Sequence, residues 1–545
     1  MKRTVLLLTI LSFLLAGWQA CCVRRDLFHS DQSIFIDLAH DFSESPIWLK
    51  LLPPVQIAVT AKTLTHPLAA YCFSFFTGDF EGFYPRCKIV NVLFGLLTIL
   101  ALYKVTRVHC GETAGLVAAL ALGTNHFFLY NCSQFSSEPL LLLFFVLWLH
   151  FSVKCFHASG TEKASWFLAG ASAGMAYLAK PNGIVLPIVF VLAYLFRRKR
   201  PSSYKAFALF SFSFLVFCSP LMYSQYMEGN FPLYNDNFNT VFAMTVDGYD
   251  DSRDLPNIVE RGLLSNLGRF MRYEHIKKYV FHVPVFFKRY VNRLFNRYLP
   301  GPIPGIIWIV LFIALFVEFQ RDGDMANGMA PLVIVFFVLY SLALVPVTID
   351  NDSARFYLPL QIVTYIAFAH FVAKQGESNV VKALIVLVLA FLVLTIGGIA
   401  LKRTVCNPLK ATDTSIELAV DWIKKQPKGQ TILYTFYEKW WLERILTESG
   451  RTMMGKEFIE VSREQLLEAM NKNPNSIIVL SSRSFSLMLN DVQGKRMFEN
   501  DFVPQEFTFD KMIFAQVQPR TGSKVTFYKL LKQTKAKPSV VPTTN

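Results

Sequence analysis

The chain has 545 residues, 53% of them hydrophobic, and a mean hydropathy of +0.36. Soluble domains lie near about 45–50% apolar; here the excess falls in runs of about 15–20 residues between short charged segments, the pattern of a polytopic helical membrane protein. Those runs show no strict apolar–polar alternation, which argues against a membrane β-barrel, and the net charge of +15 reads as Lys and Arg collected in cytoplasmic loops rather than as a nucleic-acid surface.

The N-terminus opens with Lys2-Arg3 and an apolar run over 5–20. A cleaved signal peptide and a retained first helix both fit this run, and the retained helix is the reading adopted. Residues 21–87 are too polar to span. Within them 30–39 and 54–63 read as amphipathic helices at the membrane surface. Further spans are expected over 88–103, 113–130, 140–153, 166–179, 184–196 and 207–223. After a long loop, 224–300, they continue over 303–319, 331–347, 356–373 and 383–401. With the first helix this gives about eleven spans. The loops assigned inside hold Lys104 and Arg107, Lys154 and Lys163, Arg197-Arg198-Lys199-Arg200, Arg321, and Lys374 with Lys382. That bias places the N-terminus inside and residues 21–87, 224–300 and everything after 401 outside.

Residues 402–531 are a different kind of chain. Strand patterns at 431–435, 476–480 and 525–530 alternate with helix patterns at 415–425, 437–446 and 462–471. The last of these opens with Ser462-Arg463-Glu464-Gln465, which fits a capping box. The expectation is an extracytoplasmic mixed α/β domain, followed by a disordered tail over 532–545. The nine cysteines show no metal-type spacing. Cys72 and Cys87 share the first outer segment and could pair if that face is oxidising.

Ionisable groups at span ends on the outer face are the candidates for chemistry, because charge at membrane depth is costly. Asp31 fits a general base and equally a helix cap. Glu138, in Ser136-Ser137-Glu138-Pro139, fits the first turn of a helix and equally a second carboxylate in the same cavity as Asp31. Two such carboxylates could hold a divalent cation. His66, Arg86, Lys180 and Arg355 suit an anionic phosphate, and each singly also suits a headgroup anchor. Asp350-Asn351-Asp352 reads as a polar turn, whereas Arg355-Phe356-Tyr357 after it reads better as part of a ligand site.

These segments resemble, in order, the motifs of the bacterial GT-C glycosyltransferases, and within them the protein mannosyltransferase-like and aminoarabinose-transferase-like enzymes. Ser30-Asp31-Gln32-Ser33-Ile34-Phe35 resembles the first-loop motif, with Gln32 in place of its second acid. His66-Pro67-Leu68 with Tyr71 is similar to a His/Lys-Pro-Pro-Leu segment that has lost one proline, and Arg86 stands where an Arg precedes the second span. Ser136-Ser137-Glu138-Pro139-Leu140 resembles the segment that bears the second outer acid. Gly174-Met175-Ala176-Tyr177-Leu178-Ala179-Lys180-Pro181-Asn182-Gly183 resembles the recurrent Lys-Pro-x-Gly turn and is the most specific match. Arg355-Phe356-Tyr357-Leu358-Pro359 is similar to a late Arg-Tyr-x-Leu-Pro motif.

The resemblance covers most of residues 1–400. It implies a GT-C-like catalytic membrane domain over 1–401 and inverting transfer of a sugar from a polyprenyl-phosphate donor to a glycan, lipid or protein acceptor. Asp31 would be the base and Glu138 its helper. His66, Arg86, Lys180, Arg355 and Tyr357 would bind the donor. No cofactor is required, and Asp31 with Glu138 could hold a divalent cation. The expected location is the bacterial inner membrane with the active site outside. Two alternatives use similar groups. A transporter or flippase of lipid-linked sugars would show inverted repeats and mid-span acids, neither of which is present; an O-antigen-ligase-like enzyme would not require Asp31.

Overall fold

The computed structural model describes residues 2–23, 35, 38–39, 41–43, 67–76, 80–133, 136–157, 162–195, 204–227, 273–294, 305–321, 328–350 and 354–375, and five strands after residue 431. Asp31, His66, the expected span at 383–401 and the three expected helices between 415 and 471 lie outside these residues. The chain divides into two compact units, one of Met1–Cys21 with Ile34–Asn407 and one of Cys22–Ser33 with Pro408–Asn545.

The first unit is helical. Its elements are α1 (Lys2–Val23), α2 (Pro67–Ser74), α3 (Phe80–Cys110), α4 (Glu112–Gly123), α5 (His126–Cys132), α6 (Glu138–His157) and α7 (Lys163–Ala179). A 3-10 turn (Pro181–Ile184) leads into α8 (Val185–Leu195), then α9 (Tyr204–Met227), α10 (Tyr273–Leu294), α11 (Gly305–Arg321) and α12 (Met329–Asp350). A second 3-10 turn (Ala354–Tyr357) leads into α13 (Leu358–Gln375). Among the described residues, four helices are long and apolar enough to cross a membrane: Arg86–Cys110, Glu138–Phe156, Tyr204–Met227 and Arg355–Lys374. Shorter apolar helices cover Arg3–Trp18, Glu112–Gly123, Pro181–Leu195 and Met329–Val345.

The span expected over 113–130 is broken in two. Asn125 starts a new helix, its side-chain oxygen accepting from the Phe128 N–H at 2.9 Å, while its amide donates to the Tyr365 hydroxyl at 2.9 Å. An N-cap of this kind satisfies an otherwise orphaned donor, and the bond to α13 makes the break part of the core. In the first loop Phe35, Leu38, Ala39 and Phe42 are helical and buried. Their i, i+3, i+4, i+7 spacing is one apolar helix face, running past the expected end at residue 39. The 224–300 loop contains α10, which carries Pro284 within it. Cys72 and Cys87 are free thiols. The Cys87 Sγ instead lies 3.8 Å from the Phe73 carbonyl.

Close packing at the centre depends on small residues. α7 packs on α6 and α9. Gly170 faces α9 so tightly that a Cβ would collide with the Phe210 carbonyl and the Ser213 hydroxyl. Such approach between apolar helices relies on dispersion contacts, which small residues permit.

The second unit contains a five-stranded sheet of order β2-β1-β3-β5-β4. β1 (Ile432–Tyr434) pairs in parallel with β2 (Phe458–Glu460) and β3 (Ile477–Ser481); β5 (Lys524–Gln533) runs antiparallel to β3 and to β4 (Phe507–Ala515). Strands β1, β3 and β5 fall where the sequence pattern predicts them. The three-residue β2 and the nine-residue β4 were not anticipated.

Candidate active site

The site is assembled from three helix ends. At the start of α6, Pro139 sits in the first turn, where its missing N–H costs nothing. Two side chains of α3 brace this entry: the Asn91 amide donates to the Ser136 carbonyl at 2.8 Å, and the Thr98 hydroxyl reaches the Pro139 carbonyl at 3.3 Å. Glu138 is thereby held in place with its side chain only 4% exposed.

The second end is that of α7. Pro181 disfavours helical backbone at the residue before it, and Lys180 is accordingly extended, with φ −161° and ψ 145°. The chain turns back at once into the 3-10 helix, the Gly183 N–H donating to the Lys180 carbonyl at 2.9 Å. Gly183 lies directly against the Ala176–Tyr177 backbone, and any Cβ there would collide with it. The Asn182 amide donates to the Tyr340 hydroxyl of α12 at 2.8 Å, fixing the turn from the other side.

The third end is the 3-10 turn before α13, which carries Arg355. These pieces meet at one carboxylate. The Lys180 Nζ donates to the Glu138 Oε1, and the Arg355 Nε lies 3.9 Å from the same oxygen. Phe356 lies beside both cations, its ring centre 5.7 Å from the Lys180 Nζ and 5.2 Å from the Arg355 Cζ, within the range of cation–π attraction. The cations are the more accessible members, with side-chain exposures of 15% for Lys180 and 30% for Arg355. A ligand reaching this cluster meets positive charge first, with the carboxylate behind it.

The remaining candidates are placed differently. Arg86 is exposed on α3. Tyr357 is fully buried and packs on Phe286 and Tyr290 of α10, with ring centres 5.5 and 5.9 Å away. Its position is that of a core aromatic bracing the turn that carries Arg355. A metal ion is a poor fit at Glu138, whose carboxylate already has two cationic side chains against it. Among the described residues no group of three or more His, Cys, Asp or Glu comes together. Sequence reasoning quoted Asn182 and Phe356 within their motifs without giving either a role, and missed Asn91, Tyr340 and Lys88, the last fully buried one turn before Asn91. Lys88 and Asn91 are polar residues inside an apolar run, and that was the available signal.

The profile of the dolichyl-phosphate-mannose-protein mannosyltransferase family matches residues 60–223. The fold matches that of ArnT from Cupriavidus metallidurans, solved bound to undecaprenyl phosphate, with a TM-score of 0.51 and 12% identity over 95% of this chain and 97% of that one. It also matches the oligosaccharyltransferase of Archaeoglobus fulgidus in its apo form, with a TM-score of 0.50 and 11% identity over 99% of this chain and 75% of that one. The chain shares the fold of these two GT-C enzymes, and its family-model match covers part of the same helical region. No curated protein sequence matches it significantly. Its four described helices long and apolar enough to cross a membrane, together with this fold, make it an integral membrane protein. The profile-matched segment contains His66, Arg86, Glu138 and Lys180, while Arg355 reaches the cluster from outside that segment.

Proposed function

We infer that this protein is a GT-C glycosyltransferase that moves a sugar from a polyprenyl-phosphate donor to a glycan, lipid or protein acceptor on the extracytoplasmic face of the membrane. The observation that carries the reading is the convergence of Lys180 and Arg355, the more exposed members of the cluster, on the buried Glu138. Donors placed ahead of time at the point where negative charge develops are the largest single contribution in many transfer reactions. Here that point is the lipid phosphate as it leaves. The undecaprenyl phosphate bound to the similar ArnT, and the dolichyl phosphate in the matched family's name, are groups of this kind.

In the proposed step, an acceptor hydroxyl oxygen forms a bond to the anomeric carbon while the bond from that carbon to the phosphate oxygen breaks. The bonding pair leaves with the polyprenyl phosphate, whose added charge faces Lys180 and Arg355. Attack from the side opposite the leaving group inverts the anomeric centre. Asp31, on the first loop, takes the hydroxyl proton. Glu138, buried and engaged by two cations, serves as the counter-ion that positions them. This is a more specific task than the helper role read from the sequence. His66 and Arg86 are assigned to the donor phosphate on the strength of their motifs. The C-terminal region, expected outside from the charge bias of the loops, would contribute to acceptor choice.

The test is transfer by purified protein from a panel of radiolabelled polyprenyl-phosphate sugars to membrane extract from a host lacking the gene. Wild type, Asp31→Asn and Lys180→Met are compared, with and without chelator. Label should enter an acceptor with wild type alone, and chelator should leave it unchanged. Normal turnover by Asp31→Asn would remove the base assignment. No transfer from any donor, with donor binding intact, would favour a lipid-sugar carrier.

A further inference from the structure

Helix α10 has a divided surface that the transfer reaction does not use. In its second half Phe286, Phe287, Tyr290, Val291 and Leu294 are buried against α11, α12 and the Ala354–Tyr357 turn, and the Tyr290 hydroxyl shares a 2.6 Å hydrogen bond with Thr364. Continuing that stripe toward the N-terminus by helical periodicity leads to Ile276 and Val280. There the cover stops. Ile276 is exposed, Val280 is 58% exposed, and Phe281, about 100° further round the helix, is 67% exposed.

The bare half is tied to a particular place. The Tyr279 hydroxyl donates to the Leu342 carbonyl of α12. Leu342 and Val338, one turn apart, are themselves exposed on that apolar helix. The uncovered apolar patch of α10 therefore continues a surface whose natural solvent is lipid. Yet α10 cannot be a span. It carries Glu274 against Lys277, Lys278, Lys288, Arg289 and Arg293, far too much charge for the bilayer centre. Lys277 and Lys288 are exposed and fall on the same flank of the helix as Phe281. Apolar side chains bordered by basic ones, on a helix that cannot cross, describe an element lying in the membrane interface.

We propose that the first half of α10 is an interfacial anchor that takes anionic phospholipid. Ile276 and Val280 enter the acyl region, while Lys277, Lys288 and Phe281, about 60–140° round the helix, lie at headgroup level, where the lysines meet phosphates. The charge ratio of the helix selects an anionic lipid over a zwitterionic one, since each basic residue near an anionic surface favours it by about five-fold. The anchor would hold the segment that packs on Tyr357, and through it the turn bearing Arg355, at a fixed depth.

The test places p-benzoylphenylalanine at Phe281 of the full-length protein in nanodiscs of equal parts phosphatidylcholine and phosphatidylglycerol, followed by irradiation and mass analysis. Phospholipid adducts are expected, with phosphatidylglycerol enriched about five-fold or more over phosphatidylcholine. In a Lys277→Glu, Lys288→Glu background the enrichment should disappear while the adducts remain. Adducts to the chain itself or to a polyprenyl phosphate would overturn the proposal. So would a lipid ratio equal to that of the bilayer and unmoved by the charge reversals. Because Phe281 and both lysines are exposed, none of these variants disturbs the core.

Discussion

The two ends of α6 carry charge in opposite ways. At its start, Glu138 is buried under Lys180 and Arg355, brought from two other segments. About 18 Å further along, twelve residues at 1.5 Å each, the His150 Nδ1 lies 3.3 Å from the His109 Nε2 of α3, with Lys104 and Lys154 in electrostatic reach. The second end is what a span end facing headgroups needs: bases close in sequence to the apolar run. The first end takes a carboxylate out of water and offsets that with partners from elsewhere in the fold. Such an arrangement is costly to assemble and adds little net stability compared with an apolar replacement. Among the described residues of α6 this burial of charge occurs at the start alone, which supports the proposal that the start is the working end.

The sharpest way to break this comparison is to remove one partner at the buried end. Glu138→Gln leaves two cations facing each other without their counter-ion, and breaking a buried pair in this way costs about 3–5 kcal/mol. A clear fall in the unfolding temperature in detergent is expected, together with loss of transfer. The double variant Glu138→Gln, Lys180→Met should recover part of the stability but not the activity. If it recovers both, the cluster is structural and the phosphate assignment fails. Lys180→Met alone should lower kcat by about 100- to 1000-fold, the usual effect of removing one preorganised donor, as read from initial rates with the labelled donor.

How much of this was visible beforehand depends on the range of the interaction. The helices over Glu138–His157 and Lys163–Ala179 follow from apolar runs bounded by Pro139 and Pro181, which are local signals. Lys180, Glu138 and Arg355 were each nameable from their motifs. Their meeting at one oxygen was not, because it depends on how α6, α7 and α13 pack. Asn125 shows the opposite failure. Gly123-Thr124-Asn125 is a stop and start signal, but the continuing apolar composition hides it, and only the bond to Tyr365 makes the break necessary. Helix α10 was missed because one length of chain serves protein on one half and solvent or lipid on the other. Its apolar residues at helical spacing were the available signal, hidden by the charge that marked the segment as a loop.

Smaller changes sharpen the comparison by acting on the supports of the site. Gly183→Ala puts a methyl group against the Ala176–Tyr177 backbone, and overpacking of this kind costs about 1–3 kcal/mol. The turn should shift, moving Lys180 away from Glu138, with activity falling more than stability. A wild-type kcat in this variant would mean that the turn adapts and does not fix the lysine.

Tyr340→Phe tests the same turn more gently. It removes the partner of the Asn182 amide and should cost about 0.5–1.5 kcal/mol. Because Tyr340 holds the turn rather than the ligand, its loss should lower transfer several-fold while the donor KM moves little. At the other end of α6, Lys104→Gln with Lys154→Gln should change stability by no more than about 0.5 kcal/mol per site and leave transfer within two-fold, roughly the scale of surface substitutions. This pair is the most informative of the small effects. A large loss of activity from residues about 18–24 Å along the helix from Glu138 would show that the two ends are coupled, and the division of labour drawn from their charges would have to be abandoned.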